Sequence, residues 1–356
     1  MKVLFMTNIP SPYRVDFFNE LGKFCDLTVT FTDRFYAERD DSWKNFKFEN
    51  FKGVFLKGFS LKSIRICPEI KKIIKEGKFD KIICADFTSL TGMIAINYMR
   101  KHKITYYLES DGGYAKNGKG LKEKLKRHFI KGAQGYFSTA KVHDNYYLTY
   151  GATPDKLIRY PFTSLDKKDI IENVPTLIEK QALKDKLQIK EEKVVLAVGR
   201  FIYIKGFDVL LKASKSFDNS VGFYFVGGEP TEEYLNYKAD NIHFVGFKNK
   251  TELNEYYQMA DVFALPTRGD VWGLVINEAM ANGLPVVTTD KCIAGLELVD
   301  DTNGKIVPVD DVDGFVNAIQ SIFNQSSEIL AKNSLNKIKP YTIQNMAKFH
   351  LEFLSK

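Results

Sequence analysis

The sequence predicts an α/β protein made of two consecutive doubly wound domains, each on its own parallel sheet. Three observations carry that reading. At 356 residues the chain exceeds what one hydrophobic core usually organises. Short β-rich runs alternate with helical patterns from end to end, the signature of βαβ units. Charge also divides at the middle. Residues 1–163 hold 29 Lys/Arg and 17 Asp/Glu, a net of +12, whereas residues 164–356 hold 22 and 27, a net of −5. With 44% hydrophobic and 27% charged residues, the composition excludes disordered, collagenous and disulfide-scaffold classes.

In the first half the strand runs are Val3–Thr7, Leu27–Phe31, Lys81–Ala85, Thr105–Leu108 and Gly135–Ser138. Helical patterns fall between them at Tyr13–Leu21, Glu69–Gly77 and Leu121–Lys131. Residues 1–163 form the N-terminal domain and 164–190 a linker containing the start of a charged run, Glu179–Lys193. Residues 191–340 form the C-terminal domain, with strands at Val194–Val198, Phe223–Val226, His243–Val245, Val262–Leu265, Pro285–Thr288 and Lys305–Val307. Helices are expected there at Phe207–Ser214, Leu253–Met259 and Gly273–Asn282.

Cys25, Cys67, Cys84 and Cys292 are scattered without metal-like spacing, which reads as reduced thiols in the cytosol. The apolar start is interrupted by Asn8 and Pro10, so it reads as a buried strand and not a leader. Ile82–Met99 is apolar but contains Asp86, Thr88 and Asn97, which argues against a membrane span. Any membrane association is expected at the surface.

Several motifs resemble chemistry they do not support. Gly113 to Gly120, with Lys119, lacks the final Ser/Thr of a phosphate-binding P-loop and reads as a Gly-rich loop. Asp311-Val-Asp313 precedes a helix, where one Asp caps it. The five histidines lack metal-ligand spacing, so no metal site is expected. The first strand of neither half is followed by G-x-G-x-x-G, which argues against a dinucleotide oxidoreductase.

The second half does carry a converging set. Val198 leads into Gly199-Arg200, with Lys205-Gly206 at the next helix, placing two cations beyond a strand's carboxyl end. Gly227-Gly228 and Gly246-Phe247-Lys248 end two further strands and permit close backbone approach. Pro266 to Ala281 then contributes Arg268, Asp270, Trp272 and a helix opening at Gly273, whose Leu274 and Val275 amides favour an anion. Glu278 lies one turn after Leu274. Cations suit a diphosphate and the two acids suit hydroxyl donors, a combination that describes a nucleotide sugar.

Those segments, from about Leu183 to Asp313, resemble the retaining glycosyltransferases of family four, particularly bacterial capsule, O-antigen and exopolysaccharide enzymes. Besides the segments above, Gly283-Leu-Pro-Val-Val287 and Ala294-Gly-Leu-Glu297 match in order and spacing. The first half resembles the family through Asn8-Ile-Pro-Ser-Pro-Tyr-Arg14. The resemblance implies the GT-B fold, two facing Rossmann-like domains with an interdomain cleft, and a final helix, 343–354, returning to the first domain. It implies a retaining, metal-independent hexosyl transfer with no cofactor besides the donor, a nucleotide-diphosphate sugar of UDP or GDP type. Arg200 and Lys205 would neutralise the diphosphate, Glu278 would bind the ribose, and Asp270 the transferred sugar. The Gly273–Val275 amides would hold the diphosphate, and Gly246-Phe247-Lys248 would flank the base. Gly199, Gly227, Gly228, Arg268 and Trp272 complete the expected donor wall; Asn8, Arg14, Glu109 and Asp111 stand on the acceptor side.

Two positions depart from the family pattern. Asp270 replaces the first of two glutamates eight apart. The usual first-domain His is absent from Tyr107–Gly113, where Glu109 or Asp111 takes its place.

The basic half has its own signal. Leu121, Leu125 and Phe129 share a helical stripe among five cations, and Lys57–Lys81 carries eight cations against three acids. A polyprenyl-pyrophosphate-linked glycan acceptor at an anionic membrane surface explains both clusters. Nucleic acid is not expected, since no DNA- or RNA-reading motif appears. The expectation is a cytoplasmic enzyme, peripheral on the inner face of the cell membrane, in cell-surface polysaccharide biosynthesis. A soluble enzyme with a small sugar or sugar-phosphate acceptor, and a non-catalytic sugar-nucleotide sensor, stay open as alternatives.

Overall fold

The computed structural model describes residues 1–34, 46–61, 64–116, 118 and 120–355. It divides into two compact units, Met1–Ser164 with Tyr341–Lys356, and Leu165–Pro340.

The first unit contains strands β1 (Lys2–Thr7), β2 (Asp26–Phe31), β3 (Lys52–Phe55), β4 (Phe59–Leu61), β5 (Ile64–Ile66), β6 (Lys81–Cys84), β7 (Tyr107–Glu109), β8 (Gly135–Ser138) and β9 (Leu157–Arg159). Seven of them form one sheet in the order β3-β2-β1-β6-β7-β8-β9, parallel throughout. In β1, Val3 to Met6 are buried because helices cover both sheet faces, so the strand reads as a continuous apolar run without alternation. Helix Pro12–Leu21 begins with Pro in its first turn, where the missing N–H costs nothing, and packs Phe17 and Phe18 on Phe5. The helix Ile343–Leu354, capped by Thr342, belongs to this unit: Phe353 meets Tyr107 edge-on and His350 stacks on Phe137.

The second unit has β10 (Lys193–Val198), β11 (Val221–Val226), β12 (Ile242–Gly246), β13 (Val262–Leu265), β14 (Val286–Thr289) and β15 (Gly304–Val307). Their order is β12-β11-β10-β13-β14-β15, again all parallel. Chain order reverses direction between β10 and β13, as it does between β1 and β6 in the first unit. At such a switch point the loops at the strands' carboxyl ends diverge and leave a crevice.

The structure corrects several expectations. The expected linker is largely part of the second unit. It contains helix Leu177–Lys186, opened by a Thr176–Glu179 capping box. The charges of that run are used locally: Lys180 and Lys184 pair with Asp261, and Lys186 with Glu255. Edge strands β3 and β9 and the antiparallel β4–β5 hairpin lie outside the predicted runs. Of the acidic pair near residue 312, Asp311 is the cap, accepting from Gly314 N at 2.9 Å. Of the Gly113–Gly120 motif, residues 117 and 119 lie outside the described residues, as does Lys62 of the basic cluster.

Candidate functional site

The second unit's crevice opens on the loop after β10. Gly199 donates its N–H to Val226 at 2.9 Å, and Gly227 donates to Gly246 at 2.9 Å, so three strand ends are tied at one level. A Cβ on Gly227 would lie 2.5 Å from the Gly199 carbonyl oxygen, so only glycine permits that approach. Around Gly228, at φ +114°, a Cβ would meet nothing within 4 Å, leaving open space at the strand end. Beyond Gly246, Phe247 is 61% exposed and Lys248 is half-buried.

Arg200 is exposed and makes no side-chain hydrogen bond or ion pair with described residues, so its guanidinium is available. Lys205 is held differently. It ends a 3-10 turn, Tyr203–Lys205, followed by Gly206 at φ +68°. A Cβ there would strike the Pro266 carbonyl oxygen at 2.0 Å, so glycine brings this turn against the loop after β13. Lys205 Nζ then lies 2.5 Å from Asp270 Oδ2, with both side chains less than one-fifth exposed. The switch point thus joins one free cation and one cation–carboxylate pair.

Asp270 is fixed from the next loop too, donating its N–H to Lys291 O at 2.8 Å and bridging to Cys292. Gly273, at φ +103°, turns the chain into helix Leu274–Ala281, whose first residues are Leu274 and Val275. Glu278, half-buried on that helix, accepts from the Tyr257 hydroxyl at 3.0 Å. Burial, reinforced by Glu278, pushes the Tyr257 phenol well up, keeping it a donor that orients the carboxylate.

Two expected wall residues are instead structural. Arg268 forks both Nη atoms onto Asp208 at 2.9 Å, donates Nε to Asp310 at 2.8 Å and covers the Tyr203 ring. Trp272 is buried at 2% exposure and donates its indole N–H to Asn277 at 2.8 Å. The first clamps loop to helix and the second anchors the Gly273 turn, so both act on the crevice through the backbone.

In the first unit Glu109 and Asp111 differ in burial and share Arg14. Glu109, at the end of β7, is wholly buried and bound to Arg14, to the Tyr160 hydroxyl at 3.2 Å and to His350 Nε2 at 2.9 Å. It has no path to a ligand. Burial alone would raise its carboxyl, but Arg14 and His350 outweigh that and bring it down to about 2. Asp111 is one-third exposed, pairs with the other arm of Arg14 and accepts from the Tyr13 hydroxyl at 2.6 Å. Arg14 itself is buried, a positioning residue for both acids. Asn8 accepts from the Ile9 N–H at 2.8 Å at the end of β1.

Sequence reasoning missed Asp86. It follows β6 at the first unit's switch point, and burial pushes its carboxyl up to about 6 against the opposing bonds from Ser89 and Thr32. Its position just past a strand end was the available signal. Among the described residues no group of His, Cys, Asp and Glu could hold a metal ion, and no helix is long and apolar enough to cross a membrane.

A parallel six-stranded sheet whose chain order reverses between β10 and β13 defines a Rossmann-like domain, with cations, acids and glycines gathered at its switch point. Residues 179–344, most of the second unit, match the family model "Glycosyl transferases group 1". Relatives include an uncharacterized 41.2 kDa protein in the cps region of Klebsiella pneumoniae, 27% identical over 201 residues, covering 55% of this chain and 54% of that protein. A lipopolysaccharide core biosynthesis glycosyltransferase, LpsE of Rhizobium meliloti, is 29% identical over 139 residues, covering 38% and 40%. The chain spans about half the length of the curated relatives it matches. Among solved structures, Anabaena HepE in complex with UDP superposes with a TM-score of 0.78 at 16% identity, covering all of both chains. That likeness supports the GT-B class for the fold.

Proposed function

We propose that the protein is a retaining glycosyltransferase of cell-surface polysaccharide biosynthesis, drawing a hexose or related sugar from a nucleotide-diphosphate sugar. The observation that carries this is the Lys205–Asp270 pair beside the free Arg200 at the second unit's switch point. Arg200 and Lys205 neutralise the diphosphate as the bond from the anomeric carbon to the phosphate oxygen breaks. Protein cations thereby supply the charge stabilisation that a metal provides elsewhere. The Gly273–Val275 amides face the same phosphates, Glu278 takes the ribose hydroxyls, and Asp270 reads the sugar while holding Lys205. The acceptor oxygen bonds to the anomeric carbon on the face the leaving group vacates, and its proton passes to the departing phosphate. The donor is of UDP or GDP type: HepE was solved with UDP and UDP-glucose, and a 33% identical relative is named a GDP-mannose-dependent mannosyltransferase.

The acceptor belongs to the first unit, with Asp111 and Asp86 at its strand ends, and it is a lipid-linked glycan. Leu121 at 83% and Leu125 at 44% exposure stand among Lys122, Lys124 and Lys126, while Phe129 is buried. Beside them an apolar slot of about 170 Å³ is lined by Phe87, Met93, Leu125 and Phe129. An apolar helix face ringed by cations suits the cytoplasmic leaflet's anionic surface. The test is sugar transfer from UDP- and GDP-sugars with a chelator present: activity that survives chelation and falls with Lys205→Ala supports the assignment. Equal turnover by Lys205→Ala and wild type refutes it.

A further inference from the structure

A second pocket lies at the opposite edge of the first unit's sheet. It has a volume of about 290 Å³ and is lined by Arg100, Lys103, Tyr106, Gly132 and Gln134 among others. Tyr106 immediately precedes β7 and Gln134 immediately precedes β8, so this pocket sits at the strands' amino ends. Asp86 and Asp111 lie beyond their carboxyl ends. Nothing in the proposed transfer reaction uses it.

Its chemistry is one-sided. Arg100, at the end of helix Leu90–Lys101, is held by donating Nη1 to His128 O at 2.5 Å, and it has no carboxylate partner among the described residues. Lys103 is exposed, in a left-handed turn at φ +56°, and likewise has none. Tyr106 is 2% exposed, yet its hydroxyl has no hydrogen-bond partner among the described residues. Buried hydroxyls are normally paired, because leaving one unpaired forfeits its hydration with no return. The hydroxyl oxygen borders the Gly132 turn of the pocket lining: a Cβ on Gly132, at φ +103°, would come to 3.8 Å of that oxygen and within 4 Å of nothing else. Burial lifts the Tyr106 phenol to about 12, with Arg100 pulling the other way, so the group stays a donor at neutral pH.

Two cations and one buried hydroxyl line the pocket and no carboxylate does. Their complement is an anion with several acceptor oxygens, and Arg's fork matches a tetrahedral oxyanion. We propose that this pocket is a binding site for a phosphate group, with Arg100 and Lys103 neutralising it and the Tyr106 hydroxyl donating to one oxygen. Its volume leaves room for the organic part of a phosphate ester, whether a free phosphorylated metabolite or the headgroup of a phospholipid. The site goes beyond the transfer reaction and stands or falls apart from it.

The test uses the full chain, titrated with inorganic phosphate by calorimetry. Wild type binds phosphate saturably. Tyr106→Phe, which removes only an unpartnered oxygen, folds normally and weakens binding about tenfold, the loss of one charge-assisted hydrogen bond. Arg100→Gln with Lys103→Gln abolishes that component. A second arm uses phosphatidylcholine vesicles with and without phosphatidylglycerol. If the natural ligand is a lipid headgroup, both variants lose preference for the anionic vesicles. If it is a free phosphate ester, vesicle binding is unchanged while the phosphate difference remains. Wild type and Tyr106→Phe behaving alike in both arms overturns the proposal.

Discussion

Glu109 and His350, 241 residues apart in sequence, meet inside the first unit with 2.9 Å between carboxylate oxygen and ring Nε2. The other ring nitrogen lies 2.8 Å from the Met346 carbonyl oxygen, so both ring nitrogens have an oxygen partner. Together with the Arg14 pairs to Glu109 and Asp111, this contact fastens the C-terminal helix to strand β7. Removing one member strands the others. Glu109→Gln should destabilise the unit by about 3–5 kcal/mol, read as a lower midpoint in urea unfolding. Because the folded carboxyl sits at about 2, below its unfolded value, its contribution is present above the ordinary glutamate range. It is lost as pH falls towards 2, so the wild-type advantage over Glu109→Gln should shrink on acidification. A variant as stable as wild type at neutral pH contradicts the role.

Asp86 has the opposite sign. Its carboxyl is raised to about 6, so the folded state holds the proton more tightly than the unfolded chain. Ionisation therefore costs stability as pH rises from about 4 through 6. Asp86→Asn should stabilise the fold at pH 7 by about 3 kcal/mol, read as a higher unfolding temperature, and lose that advantage near pH 4.

Arg268 is committed to Asp208 and Asp310, so its substitution should act on the loops and not on the donor's charge. Arg268→Lys cannot make the fork. It should lower stability by about 1–2 kcal/mol while leaving the salt dependence of donor binding as in wild type. Arg200→Ala should do the reverse: an unchanged melting curve, with weaker, less salt-sensitive binding.

The basic helix predicts a membrane effect. Leu121→Ser with Leu125→Ser removes exposed apolar area and should weaken binding to anionic vesicles several-fold without lowering stability. Unchanged vesicle binding removes this helix from the docking surface.

Alternation of β-rich and helical runs located eleven strands, the nine interior ones and the second sheet's edges β12 and β15, because both faces of those sheets are covered and the runs are apolar. The first sheet's edge strands escaped: Lys52–Phe55 and Leu157–Arg159 are short and partly exposed, so neither run is apolar enough to stand out. Gly199, Arg200, Gly227 and Gly246 were legible as strand-end residues because each lies at or within two residues of a strand's carboxyl end. The fates of Arg268, Trp272 and Glu109 were not. Each depends on a partner set by tertiary packing: Asp208 is 60 residues from Arg268, and His350 is 241 from Glu109. Even Trp272, whose partner is near in sequence, is decided by burial that spacing does not record.

The central claim is that the second unit binds a nucleotide-diphosphate sugar through Arg200, Lys205 and Glu278. A thermal-shift panel of UDP- and GDP-sugars against wild type, Arg200→Ala and Glu278→Ala tests it most directly. A ligand at one hundred times its dissociation constant adds about 2.7 kcal/mol to stability. The account predicts that one nucleotide series raises the wild-type melting temperature and that both variants lose most of the shift. No stabilisation of wild type by any nucleotide sugar, or full stabilisation of Glu278→Ala and Arg200→Ala, would contradict it.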